Sequence, residues 1–121
     1  MSTERMIESY PEFIQDKIHE ISNHEAWFGD LTGTQAEFLL RTKPDMTYVL
    51  RQGEKPDHFY LSYVKEKCVF VHIPFTANHP SKMWYYLNGA PHFAASLDQF
   101  IPDIMHVEQG NCFPLVKIID L

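Results

Sequence analysis

The sequence predicts an α+β fold, in which a central antiparallel sheet carries one helix on each face, together with an additional N-terminal helix. Three observations support this prediction. Segments with helical periodicity lie before and after a block of apolar runs, these runs are joined by short links, and their centres are apolar on both faces. Short links favour antiparallel hairpins, and a sheet that is apolar on both sides needs a cover on both sides.

The first predicted helix covers residues 11–22. Pro11 suits the first helical position. One apolar stripe at helical spacing comprises Phe13, Ile14, Ile18 and Ile21. This helix precedes the rest of the pattern.

A second helix is predicted from Thr32 to about residue 41. Thr32 with Gln35 three residues later matches a capping box, which marks a helix start. Three strand-like runs follow, dense in Val, Ile, Tyr and Phe, at residues 46–52, 58–64 and 68–75. They supply the predicted antiparallel sheet.

The C-terminal third of the chain is expected to add a short strand, a helix and a last extended run. Residues 83–87 are predicted as the short strand, which ends in a turn at Asn88 and Gly89. The helix, residues 92–104, has an apolar face that comprises Phe93, Leu97, Phe100, Ile101 and Ile104. The last extended run covers residues 112–119.

Composition excludes several classes of function. The chain has 121 residues and a net charge of −6, whereas general nucleic-acid and membrane binders use a broad basic surface. Cys68 and Cys112 lack the spacing of metal ligands and lie in apolar runs, so we expect buried free thiols in a reducing compartment. No run is long enough to span a bilayer. We therefore expect a cytoplasmic monomer without cofactor or metal.

Arg51 is the most informative single residue. It ends the apolar run Tyr48-Val49-Leu50 and is followed by a loop that begins with Gln52-Gly53. A guanidinium inside a sheet is unfavourable unless it meets an anion, and an inward arginine beside free backbone N–H groups suits phosphate. The alternative is an ordinary strand-end arginine that reaches solvent.

Several short segments, taken in order, carry a family resemblance. They are Trp27-Phe28-Gly29, Ala36-Glu37-Phe38-Leu39-Leu40, Tyr48-Val49-Leu50-Arg51, Phe59-Tyr60-Leu61-Ser62-Tyr63-Val64, Val71-His72-Ile73, and Phe93 with Ser96-Leu97 and Phe100-Ile101. Together they resemble the Src homology 2 (SH2) domain, a family of phosphotyrosine-binding modules. The resemblance covers about residues 27–115. It implies a division of the chain into an N-terminal helical extension, residues 1–23, which lies outside the family pattern, and an SH2-like phosphotyrosine-binding domain, residues 24–121.

The resemblance implies a phosphotyrosine site and assigns residues to it. Arg51 would form a bidentate pair with the phosphate at the floor of a pocket, and the following loop would supply backbone N–H groups. The full phosphotyrosine-binding set that it implies is Arg51, Gly53, Glu54, Lys55, Tyr60 and His72. For His72, a wall of the pocket and an ordinary core histidine without ligand contact are both open interpretations.

The chain departs from the family pattern at several of these positions. Gly33 stands where many members have a second phosphate-binding arginine, and Pro74 stands where many have a lysine. Gly53 replaces a common serine, and Tyr60 replaces a common small hydroxyl residue. Phosphate binding would therefore depend on Arg51 and loop amides, and Lys55 and Lys82 are the candidates for an additional cation.

A second pocket is implied for the residues that follow phosphotyrosine in a bound peptide. Ile73 is the position that would contact them, and its aliphatic side chain favours apolar residues there. The turn formed by Leu87, Asn88 and Gly89 and the loop of residues 106–111 would flank this pocket.

The resulting hypothesis is a phosphotyrosine-peptide binding module that recruits its protein to tyrosine-phosphorylated partners in signalling. One alternative is a degenerate SH2-like domain that binds other proteins independently of phosphate, through apolar surface such as Trp84-Tyr85-Tyr86. A small enzyme acting on phosphorylated substrates is the weaker alternative. Cys68 and His72 are four residues apart on a predicted strand, about 13 Å, too far for a nucleophile and its base.

Overall fold

The computed structural model describes residues 10–66, 68–78, 80–88 and 90–116. It contains three helices: α1 (Glu12–Ser22), α2 (Gly33–Leu40) and α3 (Leu97–Ile104). Its strands are β1 (Thr47–Gln52), β2 (His58–Lys65), β3 (Val69–Asn78), β4 (Met83–Asn88), β5 (Ala90–Ala94) and β6 (Phe113–Pro114). They form a 6-stranded sheet in the order β5-β4-β3-β2-β1-β6. Every pairing is antiparallel except that of β1 with β6. The α+β prediction is confirmed.

The sheet separates two apolar layers because side chains alternate along each strand. On β1, Tyr48 and Leu50 belong to the main core together with α1 and α3. Val49, between them, belongs to a smaller cluster with Ala36 and Leu40 of α2. On β1 and β2, the residues between those of the main core therefore point to the opposite face of the sheet, toward α2. Arg51 is one of them.

Helix α1 is packed into the main core. Its predicted stripe supplies Ile14, Ile18 and Ile21, which are 2%, 6% and 0% exposed. The carboxylate of Glu20 accepts hydrogen bonds from Trp84 Nε1 at 3.2 Å and from the backbone N–H of Leu97 at 2.8 Å. Because Leu97 opens α3, this carboxylate also lies at the positive end of that helix.

Helix α2 begins as predicted. The Thr32 side chain accepts from the backbone N–H of Gln35, and the Gln35 side chain accepts from the backbone N–H of Thr32, which completes the capping box. This start sets the rotation of the helix. Ala36 and Leu40 are buried against the sheet, whereas Phe38 is 68% exposed.

The predicted helix over residues 92–104 is wrong in its first part. Residues Ala90–Ala94 form β5, which pairs with β4 through Tyr85 opposite Phe93. The Phe93 ring packs on Tyr85 with a centroid distance of 5.0 Å. The helix starts only at Leu97, with Ser96 as its N-cap. Cross-strand pairing therefore outweighed the helical spacing of Phe93 with the residues of α3.

Strand β3 is longer than predicted and pairs unequally on its two sides. It pairs with β2 from Val69 to Thr76, but with β4 only from Thr76 to Asn78. The segment of residues 69–75 therefore has one edge that no described strand covers.

Two further expectations differ from the structure. Cys68 is exposed at a turn with φ of 83°, so the prediction of a buried thiol is wrong there, whereas Cys112 is half-buried. The last extended run was expected over residues 112–119, and only Phe113–Pro114 is a strand. Residues 117–119 lie outside the described part of the chain. Among the described residues, no helix has the length and hydropathy needed to cross a bilayer.

Candidate functional site

The candidate site lies on the face of the sheet that α2 covers. Three adjacent strands each supply side chains at alternating positions. Arg51 on β1 is opposite Tyr60 on β2, and Ser62 on β2 is opposite His72 on β3. The sequence resemblance assigned Arg51, Tyr60 and His72 to one site, and the sheet register brings them together.

Arg51 is buried, with 8% exposure, and does not reach solvent as a strand-end arginine would. Its Nε donates to Ser62 Oγ at 3.0 Å, its Nη1 to the Leu31 carbonyl at 3.4 Å, and its Nη2 lies 3.3 Å from His72 Nδ1. A guanidinium has five N–H groups, so each terminal nitrogen retains one N–H that these bonds do not use. Two donors on adjacent nitrogens match the spacing of two phosphate oxygens.

The electrostatic environment of Arg51 is unusual for a buried cation. Burial lowers the pKa of Arg51. Tyr60 and Glu37 raise the pKa of Arg51 by a smaller amount, so the effect of burial dominates. In the described part of the chain, no carboxylate lies within ion-pair distance of the guanidinium. The Tyr60 ring covers one face of it, 4.4 Å from Cζ. Arg51 therefore has no anionic partner at ion-pair distance among the described residues.

His72 connects Arg51 to helix α2. Its Nδ1 lies 2.7 Å from Ser62 Oγ, and its Nε2 lies 2.7 Å from Glu37 Oε2. Because Arg51 can only donate, its contact with Nδ1 requires that nitrogen to be the acceptor, with one lone pair that Arg51 and Ser62 share, and the ring proton then lies on Nε2, which donates to Glu37. Ser62 in turn accepts from Arg51 Nε. His72 is therefore part of the wall around the guanidinium.

Gly33 borders the same space. A Cβ atom built at this position would lie 3.5 Å from Arg51 Nη2 and 3.7 Å from His72 Cε1. These are ordinary contact distances, so a Cβ atom would fit without displacing its neighbours. The glycine places no side chain between α2 and the guanidinium.

The loop after β1 does not enclose this space. The Gly53 N–H already donates to the His58 carbonyl at 2.8 Å, which extends the β1–β2 ladder. A Cβ at Gly53 would lie 2.7 Å from the same oxygen, so this turn requires glycine. Glu54 and Lys55 line a cleft of 370 Å³ beside α1, and no hydrogen bond or ion pair between described residues joins them to Arg51. Lys82 lies at another cleft, with Pro11, Glu12, Phe13 and Asp16.

The residues assigned to the downstream pocket are separated in the structure. Ile73 is 6% exposed and packs in the main core. Leu87 is 61% exposed and lines an open cleft of 310 Å³ together with Tyr60, Pro74, Tyr85 and Tyr86. Asn88 ends β4, and Gly89 lies outside the described residues. The cleft extends from the Tyr60 ring, which packs on the guanidinium of Arg51, to Leu87. Ile73 does not line this cleft.

Sequence reasoning missed two members of the site, Glu37 and Ser62. Glu37 lies one helical turn after Gly33, so the assignment of Gly33 to the site already implied that Glu37 faces it. Ser62 alternates with Tyr60 on β2, and the same argument from strand periodicity would have found it. Within the described residues, no cluster of histidine, cysteine and carboxylate side chains could hold a metal ion.

Comparisons with known proteins agree with the fold. The family model of the SH2 domain matches residues 27–102. A solved structure, the solution NMR structure of the SH2 domain of the Monosiga brevicollis CRK/CRKL homolog, superimposes with a TM-score of 0.61. The two sequences are 22% identical, and the match covers 78% of this chain and 88% of that one. No curated protein matches the chain.

Proposed function

The chain belongs to the SH2 domain family, and from this premise we propose that it binds phosphotyrosine in peptides and so recruits its protein to tyrosine-phosphorylated partners. The observation that carries the proposal is Arg51, a buried guanidinium with N–H groups left on both terminal nitrogens. A dianionic phosphate satisfies both groups at once.

The depth of Arg51 supports tyrosine as the phosphorylated residue. Phosphotyrosine extends further from its backbone than phosphoserine, so only its phosphate reaches a guanidinium at the floor of a pocket. Ser62 and His72 hold the Arg51 side chain in place before the ligand arrives, which reduces the entropy lost on binding. The Tyr60 ring over the guanidinium adds an aromatic wall.

The other residues assigned to the site differ in how well their positions suit phosphate binding. His72 is a wall of the pocket. Backbone N–H groups at Glu54 and Lys55 would contact the phosphate only if the loop closes over the ligand, because Lys55 lines the cleft beside α1, and Glu54 lies between that cleft and the one that contains Tyr60. The Gly53 N–H is already bonded. Peptide residues after the phosphotyrosine would lie along β3 toward Ile73 and the turn that follows Leu87.

We further propose that the module is not an enzyme, requires no cofactor or metal, and acts as a monomer in the cytoplasm on protein ligands and not on nucleic acid or membranes. Incubation with a phosphotyrosine peptide is expected to release no phosphate. Phosphate release that persists through repeated purification would contradict this part of the proposal.

Substitution of Arg51 tests the central claim. Arg51→Ala removes a charge-assisted pair and is expected to weaken binding of a phosphotyrosine peptide by about 2–5 kcal/mol. Arg51→Lys keeps the charge but loses the planar fork, so it should also lose much of the affinity. Calorimetric titration compares these variants, and the wild type is titrated with the phosphoserine and unphosphorylated peptides as well. Equal affinity of wild type and Arg51→Ala would overturn the proposal.

One observation favours a second function. The cleft lies beside the site and does not include Arg51. Its lining is mainly aromatic and apolar and also includes polar side chains: Tyr60, Pro74, Tyr85, Tyr86 and Leu87, with Glu54, His58 and Thr76. A degenerate SH2 domain would bind proteins there without phosphate. Binding of an unphosphorylated partner that survives Arg51→Ala would support this alternative.

A further inference from the structure

Glu37 brings a negative charge to a site that is proposed to bind a negative ligand. Its Oε2 lies 2.7 Å from His72 Nε2, and its side chain is 41% exposed. Gly33, one helical turn earlier, places no side chain between α2 and the guanidinium of Arg51. The guanidinium on the sheet and the carboxylate on the helix therefore lie at the two ring nitrogens of the same His72 side chain.

The separation between the two charges is short. His72 Nδ1 lies 3.3 Å from Arg51 Nη2, and the other ring nitrogen lies 2.7 Å from Glu37 Oε2. One imidazole ring therefore separates the guanidinium from the carboxylate, a distance within the Debye length of about 8 Å at physiological salt. The charge of Glu37 also raises the pKa of Arg51 against the larger, opposite effect of burial, so the two groups interact.

Given the proposed function, we propose that Glu37 is a specificity-determining residue whose charge weakens the binding of doubly charged phosphate more than that of singly charged anions. Coulomb repulsion is proportional to the charge of the ligand, so a dianion at Arg51 is repelled twice as strongly as a monoanion at the same place. Without an arginine at position 33, the site has no second cation there to offset this repulsion.

The carboxylate also accepts a hydrogen bond, and the two effects need to be separated. In Glu37→Gln, an amide oxygen can still accept from His72 Nε2, whereas the charge is removed. The matched control is Glu12→Gln, which removes the same charge from an exposed position on α1. Thermal unfolding of both variants confirms that each is folded before binding is measured.

The experiment is a calorimetric titration of wild type, Glu37→Gln and Glu12→Gln with two peptides of one sequence, one with phosphotyrosine and one with sulfotyrosine. Sulfate has a similar shape and one negative charge. For Glu37→Gln we expect affinity to rise about threefold for each ligand charge, hence about tenfold for phosphotyrosine and about threefold for sulfotyrosine. Glu12→Gln should change both affinities by less than about twofold.

Other outcomes distinguish failure of this proposal from failure of the proposed function. Phosphotyrosine binding that depends on Arg51 but is unchanged or weakened in Glu37→Gln overturns the role of Glu37 and leaves the function intact. An equal gain for both peptides also overturns it, because a change of packing does not depend on ligand charge. If neither wild type nor Glu37→Gln binds the phosphotyrosine peptide, both proposals fail together.

Discussion

At the scale of single residues, the site is defined by how the hydrogen bonds of Arg51 are distributed. Ser62, Leu31 and His72 occupy donors on all three of its nitrogens, yet none of these partners is an anion. Sequence alone indicated that Arg51 needs an anion. It could not show which polar groups hold the side chain, because those contacts depend on the register of β1, β2 and β3 and on the rotation of α2.

Gly33→Arg is predicted to strengthen phosphotyrosine binding. The position has room for a Cβ at ordinary contact distance from Arg51 and His72, and a second guanidinium there would offset the charge of Glu37. We expect a gain of about tenfold, or roughly 1.4 kcal/mol, in a titration with a phosphotyrosine peptide.

Thr34→Arg is the matched control for this prediction. Thr34 follows Gly33 but is exposed and lines a depression with Leu31, Gln35, Phe38 and Leu39. Its arginine adds the same charge on another side of α2. An equal gain in both variants would mean that overall charge, and not the Arg51 site, accounts for the effect.

His24 is predicted to make stability depend on pH. Burial lowers the pKa of His24 below its usual value of 6.5, so the folded state resists protonation more than the unfolded state does. Folding stability should therefore be fully present above about pH 6.5 and decline as the pH falls through the range below it. His24→Asn keeps an acceptor for the Ala26 N–H and should reduce that decline.

Urea unfolding at about pH 7.5 and about pH 5.5 measures this difference. His19→Asn is the control, because it removes a histidine at an exposed position on α1. It measures how much the loss of a histidine outside the core changes the dependence of stability on pH. The same decline in wild type and His24→Asn would contradict the assignment.

At the scale of elements, local sequence signals identified the helices correctly, but they did not predict every strand pairing. The capping box at Thr32 and the stripe of α1 identified two helices, because both signals are contained within one or two turns. Residues 92–94 of β5 are predicted as part of a helix, because Phe93 fits the spacing of α3. Its strand conformation comes from pairing with β4, which an Asn-Gly turn favours, whereas the helical spacing of Phe93 points the other way.

Glu20→Ala is predicted to destabilise the domain through two lost hydrogen bonds. The fully buried Trp84 indole and the first amide of α3 would both lose their acceptor. We expect a loss of about 2 kcal/mol in the free energy of unfolding, measured by chemical denaturation. Glu12→Ala on the same helix is the control. Equal, small losses in both variants would show that α1 is only loosely attached.

At the scale of the whole molecule, α1 belongs to the same apolar core as the rest of the chain. Ile14, Ile18 and Ile21 are buried with residues of β2, β4 and α3. The boundary at residue 23 marks where the family motifs begin to match. It stays a prediction, and it does not imply that residues 24–121 fold independently of α1.

Net charge should bias the choice of peptides. With a formal charge of −6, the domain repels acidic peptides and attracts basic ones beyond the site itself. A phosphotyrosine peptide with lysine flanks is predicted to associate faster than one with glutamate flanks. The difference should shrink between about 0.05 M and about 0.5 M salt, because screening shortens the range of the field. Stopped-flow association rates that differ equally at both salts would contradict this.

The uncovered edge of β3 has a consequence for solubility. Over residues 69–75 this strand could pair with the same strand of another molecule, and such pairing is a common start of aggregation. Pro74 lies within that edge and has no N–H to donate, so a foreign strand cannot complete a continuous ladder along it. This edge can therefore still pair with a short ligand, but Pro74 makes it poorly suited to fibril growth.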